Sequence, residues 1–331
     1  MLHNSINISG LNEKKEMNEK KKKIIVINNF FCENNIFICD KIRVSIPTCS
    51  DKFEILTSAI SLFTPNKEKE RNKGKDLYLL EYENNEDEMI DFFEYLSAIK
   101  TNPKKYIFTI ITTYQKILKH ILVLQYSNIV HFNINYDTIC LKKKTEQVLI
   151  RDWTNAIITS CNSHLQNQSY ITKKNDDILT NSPLEIYVLV HLNKYNLETL
   201  NVSSIEIICK TYIDNPYLSF ITTTFKHKLY LNCVDFLTPL IDITREKIID
   251  EMMKYSHTWD NYALSIIYLH IIASFKHNCV FFRDFSRLLH KNLLIKKGIT
   301  ETIDAFDSLF YKHTEWIKPL MAFAIKVHDE E

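Results

Sequence analysis

Asn128-Ile-Val-His-Phe-Asn-Ile-Asn-Tyr-Asp-Thr-Ile-Cys-Leu141 and, after a short polar turn, Val148-Leu-Ile-Arg-Asp-Trp-Thr154 form the stretch on which the fold turns. Apolar residues bracket a loop in which His131, Asn133, Asn135, Asp137 and Thr138 supply hydrogen-bonding groups. The lysines Lys142 to Lys144 sit where a hairpin would turn, between two β-branched runs. Upstream, Ile107, Ile110, Ile111, Tyr114, Ile117, Leu118, Ile121, Leu122 and Leu124 recur at helical spacing, which predicts one long buried helix over Tyr106 to Tyr126. The order is therefore helix, polar loop, hairpin, Asp152.

The whole chain has 331 residues and is 45% hydrophobic, enough for a substantial core. Its formal net charge of +1 gives no global basic field, which argues against sequence-blind nucleic-acid binding. Uncharged runs such as Asn261 to Phe275 are too short or too polar to cross a bilayer, and charged Glu13 to Lys23 replaces the apolar core of a secretory signal. The chain reads as soluble, without a membrane partner. Eight scattered cysteines without a C-x-x-C pair read as reduced thiols of a cytoplasmic protein. Only three glycines, Gly10, Gly74 and Gly298, argue against a glycine-rich phosphate cradle.

Residues 1–23, Asn- and Lys-rich, read as a disordered basic arm. Ile24 to Ile27, Ile36 to Cys39, Ile42 to Ile46 and Leu77 to Tyr82 read as strands, with a helix over Asp51 to Phe63 between them. A second helix ends near Ile99. The segment from about 190 to 255 reads as additional helices, including one over Asn232 to Tyr255.

The central stretch resembles the catalytic core of the protein kinases. His131-Phe132-Asn133-Ile134-Asn135-Tyr136-Asp137-Thr138 keeps the frame of the kinase catalytic loop H-R-D-x-x-x-x-N, and Asp152-Trp153-Thr154 stands where D-F-G is expected. Ser182-Pro183-Leu184-Glu185 is similar to the motif that closes the activation segment. Thr258 to Ser265 resembles the start of the central C-lobe helix, and His290 to Thr300 resembles the family's H-P-x-P-x-x-R-x-T segment. In particular the chain resembles the divergent, pseudokinase-type proteins of large DNA viruses, which also carry Phe after the loop His and an insertion before the central helix.

The resemblance implies an α+β, protein-kinase-like bilobal fold: a small β-rich N-lobe over 24–82, and a larger helical C-lobe over 83–331 with its insertion. It implies structural roles for His131, for Asp260 as a brace of the catalytic loop, and for Glu185 paired with Lys296 or Lys297. Asp152 and Thr138 would hold metal. Asn34 and Asn35 would border the phosphates, Pro47 stands where the phosphate-binding Lys is expected, and Glu54 and Glu81 complete the nucleotide side. Phosphoryl transfer needs a carboxylate to orient the acceptor hydroxyl, and Asn133 occupies that position without being able to take a proton. Pro47 has neither charge nor N–H. The implied protein is a degenerate kinase that binds a protein partner and holds Mg-ATP weakly at best. The alternatives are a divergent active Ser/Thr kinase and a purely structural or virion-associated protein.

Overall fold

The computed structural model describes residues 4–7, 41–45, 77–83, 89–143, 145–152, 156–159, 181–274, 280–315 and 317. Asn34, Asn35, Pro47, Glu54 and Trp153, and the expected helix over Asp51 to Phe63, lie outside them. The fold is α+β and mostly helical. By its contacts the chain divides into two compact units, Met1–Ile90 with Cys140–Thr154, and Asp91–Ile139 with Asn155–Glu331. The hairpin of the central stretch falls with the first unit.

In the first unit, β1 (Asn4–Asn7), β2 (Lys41–Ser45) and β3 (Leu77–Glu83) form an antiparallel sheet with β3 in the middle. Val44 stands opposite Leu80 and Arg43 opposite Glu81, which places Glu81 on the central strand. Strand β1 lies within the stretch read as a disordered arm; pairing with β3, Ser5 opposite Leu79, gives its backbone groups partners that composition alone does not reveal. A second three-stranded sheet runs in the order β4 (Met89–Asp91), β6 (Ile139–Lys142), β7 (Val148–Ile150). The turn between β6 and β7 closes with Lys142 N donating to Gln147 O at 3.0 Å and Glu146 N to Lys142 O at 2.8 Å. Cys140 and Leu149 are its core, with Met89 packed against them.

The second unit begins with α1 (Phe92–Ala98) and α2 (Pro103–Tyr126). Helix α2 starts where its chemistry says it should: Asn102 Oδ1 accepts from Lys105 N at 3.1 Å, and Pro103 occupies the first turn, where its missing N–H costs nothing. Its length and apolarity reach those of a membrane span, contrary to the reading from uncharged runs, because its Lys residues are spread thinly among apolar ones. Its buried stripe nonetheless packs inward. The Tyr114 ring lies 4.7 Å from that of Tyr268, 4.8 Å from Phe285 and 4.9 Å from Phe306. Those three rings belong to α7 (Trp259–Ser274), α8 (Val280–Ile295) and α9 (Ile299–Lys312). Helix α7 is buried almost all round, as expected of a helix enclosed by others.

Between them lie α3 (Leu184–Lys194), α4 (Val202–Ile213), α5 (Thr223–Leu237) and α6 (Arg245–Met253). The single helix expected over Asn232 to Tyr255 is thus two. Pro239 cannot donate to the helix ladder, so α5 ends at Leu237 in a 3₁₀ turn, Thr238–Leu240, and Asp242 at φ 59° redirects the chain. Arg245 then ties α6 back, its guanidinium donating to Leu192 O at 3.3 Å and Leu197 O at 3.4 Å at the end of α3.

Candidate functional site

The polar loop from His131 to Thr138 leaves β5 (Ile129–Val130), which pairs antiparallel with β8 (Ile157–Ile158). Its first residues are held by one side chain. Asp260, in the first turn of α7, accepts His131 N on Oδ2 at 2.7 Å and Phe132 N on Oδ1 at 2.9 Å. Phe132 sits at φ 58°, a conformation costly for a bulky residue, and its ring lies 5.4 Å from that of Trp259. The carboxylate and the indole together fix that conformation. Asp260 is 4% exposed, and burial pushes its carboxyl up to about 6, the two backbone N–H donors working the other way.

Within the loop the polar groups serve one another. His131 is fully buried, and its Nδ1 accepts Asn133 N at 3.3 Å, a structural use of the ring. Asn133 Oδ1 accepts from Asn135 Nδ2 at 3.0 Å, while Asn135 Oδ1 accepts Asp137 N at 2.8 Å. Thr138 is buried, and its hydroxyl accepts Asn135 N at 2.9 Å and lies 3.1 Å from both Asn133 O and Asn135 O. The hydroxyl expected to ligate metal is therefore engaged by the loop's own backbone. Asn135 is the residue that reading for catalytic groups passes over; the Asn-x-Asn-x-Asp spacing, which favours side-chain-to-backbone bonds two residues on, is its signal. Tyr136 is anchored outward, its ring 4.2 Å from that of Phe93 and its hydroxyl hydrogen-bonded to His270 Nδ1.

Asp152 follows β7 at φ 60°, a left-handed conformation that a short polar side chain tolerates. Among the described residues no group of three or more His, Cys, Asp or Glu is placed to hold a metal ion.

Glu185, in the first turn of α3, is 1% exposed, and Lys296 Nζ lies 2.6 Å from its Oε1. The approach angle leaves both groups short of a well-formed hydrogen bond, so the contact is an ion pair by distance. Lys296 also lies over the rings of Phe236, 3.0 Å from the centroid, and Tyr255, at 4.4 Å. Burial pulls its ammonium below the usual range, and the Glu185 charge opposes that fall. Lys296, not Lys297, takes the partner. Lys297 contributes its carbonyl, which accepts Asn261 Nδ2 at 2.9 Å. The same amide reaches Thr302 Oγ1 at 2.9 Å, and Asn292 Nδ2 donates to Ser265 Oγ at 3.0 Å, so a buried polar network fixes the turn that carries Lys296.

No protein-family model matches the chain, and comparison with curated proteins gives no match.

Proposed function

We propose that this chain is a degenerate protein-kinase-like protein, a pseudokinase that acts by binding a protein partner and holds nucleotide weakly if at all. On this reading residues 24–82 belong to a small N-lobe and 83–331 to a larger C-lobe, and the protein is of the kind found in large DNA viruses. The observation that carries the proposal is the His131 loop. Its two backbone N–H groups are held on the Asp260 carboxylate, while the position of the catalytic base is the neutral Asn133, tied to Asn135. An amide cannot take the proton of an acceptor hydroxyl, and loss of a positioned base lowers rates by about 10²- to 10⁴-fold. The Glu185–Lys296 pair supports the same reading, since the segment motif and the late basic residue meet although far apart in sequence.

Two measurements test it. Thermal denaturation with and without Mg-ATP reads nucleotide binding, because a ligand of the native state raises apparent stability by mass action. A radiolabelled ATP assay with generic protein substrates reads transfer. Little or no thermal shift and no turnover are expected. Sustained turnover in the range of about 1–100 s⁻¹ would sink the proposal in favour of a divergent active kinase.

A further inference from the structure

Behind the His131 loop, in the second unit, lies a cavity of 160 Å³. Ile121, Ile129 and Val130 form its buried apolar floor, and Asn128 and His257 stand exposed at its rim. Its remaining lining is Gln125, Thr159 and Asp260. Beside the NH₂ groups of the Gln125 and Asn128 amides, the lining carries oxygens with acceptor capacity to spare. Asp260 receives two backbone N–H groups, but a carboxylate offers about four lone-pair sites, and among the described residues it has no ion pair. Gln125 Oε1 is buried with no hydrogen-bond partner among the described residues. Thr159 Oγ1 directs its hydrogen to Asn128 O at 3.1 Å, leaving its lone pairs. His257 Nδ1 lies 2.9 Å from Lys254 O, and since a carbonyl only accepts, Nδ1 carries the hydrogen of that bond.

A buried carboxylate without a counter-charge among the described residues, lining the same cavity as an unpartnered amide oxygen, selects a cationic ligand rich in N–H groups. The guanidinium group offers five donors in a plane, has no acceptor, and is more weakly hydrated than an ammonium. Its alkyl stem suits the apolar floor. Size agrees, since a cavity of about 150 Å³ holds a benzene-sized molecule. We propose that this cavity binds a guanidinium group, with Asp260 as counter-ion and the Gln125 and Thr159 side-chain oxygens as hydrogen-bond acceptors. The proposal does not rest on the kinase-like reading.

The test uses the full chain, labelled with ¹⁵N, titrated with three probes: agmatine, the peptide Ala-Arg-Ala with blocked ends, and the same peptide with citrulline for arginine. Saturable shifts of the Ile129, Val130 and Asp260 amide signals are expected for both guanidinium probes, with the citrulline peptide weaker by about tenfold or more. Gln125→Leu, and independently Thr159→Val should the first fold poorly, should each weaken binding of the guanidinium probes. Tighter binding of the peptide than of agmatine identifies the source as an arginine of a protein partner, and the reverse identifies a small free molecule. Absence of saturable shifts, equal response to arginine and citrulline, or binding unchanged in the folded variants overturns the site.

Discussion

Replacing Asp260 by Asn sets two effects of opposite sign against each other, and pH separates them. Asn keeps one acceptor oxygen, so its NH₂ must face either His131 N–H or Phe132 N–H, both now held by the carboxylate at 2.7 and 2.9 Å. A buried N–H left unsatisfied costs about 1–3 kcal/mol. Against this, the wild-type carboxyl is raised by burial from 3.8 to about 6, so ionising it in the folded protein at neutral pH costs about 3 kcal/mol relative to the unfolded chain. Asn carries no such cost. Because the folded-state value is the higher one, this group's contribution is present in full below the unfolded value of 3.8 and is lost as pH rises through about 6. Wild type should therefore lose about 1–2 kcal/mol between about pH 5 and pH 7.5 that Asp260→Asn does not lose. Measured against wild type, the variant should therefore gain about 1–2 kcal/mol on going from the lower pH to the higher, whatever the offset set by its unsatisfied N–H. Urea denaturation of both proteins at both pH values measures it, and titrations common to the two, such as those of His191 and His290, cancel in the difference. A destabilisation that is independent of pH, or that grows towards neutral pH, would refute the reasoning.

Three other expectations follow from the same geometry. Glu185→Gln strands a buried ammonium and should cost about 3–5 kcal/mol in urea denaturation, whereas the double variant with Lys296→Met, which removes both charges, should recover much of that loss. Thr138→Val should cost about 1 kcal/mol or somewhat more by the same measurement, since Asn135 N loses its acceptor in a part-buried loop. Any magnesium-dependent part of ATP binding, read by calorimetry with and without Mg²⁺, should disappear in Asp152→Asn and persist in Thr138→Val, because Asp152 is the remaining charged oxygen ligand among the motif positions and the Thr138 hydroxyl serves the loop.

Periodicity made the helical half of this chain readable. The stripe from Ile107 to Leu124 holds most of the residues that α2 buries, missing Tyr106, Thr109 and Thr113 and including the half-buried Leu122, and Pro103 with Asn102 marks its start. What spacing could not supply was the effect of one imino acid: Pro239 splits a helical pattern that otherwise runs from Asn232 to Tyr255. Nor could it show that Asn4 to Asn7 pairs with β3, since a polar tetrapeptide acquires strand structure only from the edge it meets. At the site, the order of motifs brought Asp260 to the His131 loop and Lys296 to Glu185 across long separations in sequence. The choice of Lys296 over Lys297 was not readable, because it depends on the left-handed turn at Lys296, φ 47°, and on Asn261 holding the next carbonyl.

On the proposed kinase-like reading, the loop's chemistry accounts for a site that keeps its shape without its reaction. A loop carrying a catalytic carboxylate, a neighbouring cation and a metal ligand depends on charge partners, because unpaired charges in a part-buried loop are costly. Here the corresponding groups, Asn133, Asn135 and Thr138, are all neutral, and each satisfies another: amide to amide, hydroxyl to backbone, amide oxygen to Asp137 N–H. The buried charge that persists, Asp260, lies behind the loop, where it holds backbone and not substrate. Such a loop needs neither nucleotide nor metal to stay folded. On the proposed reading, a loop whose polar groups already satisfy one another would lose little ordering entropy when a partner binds it.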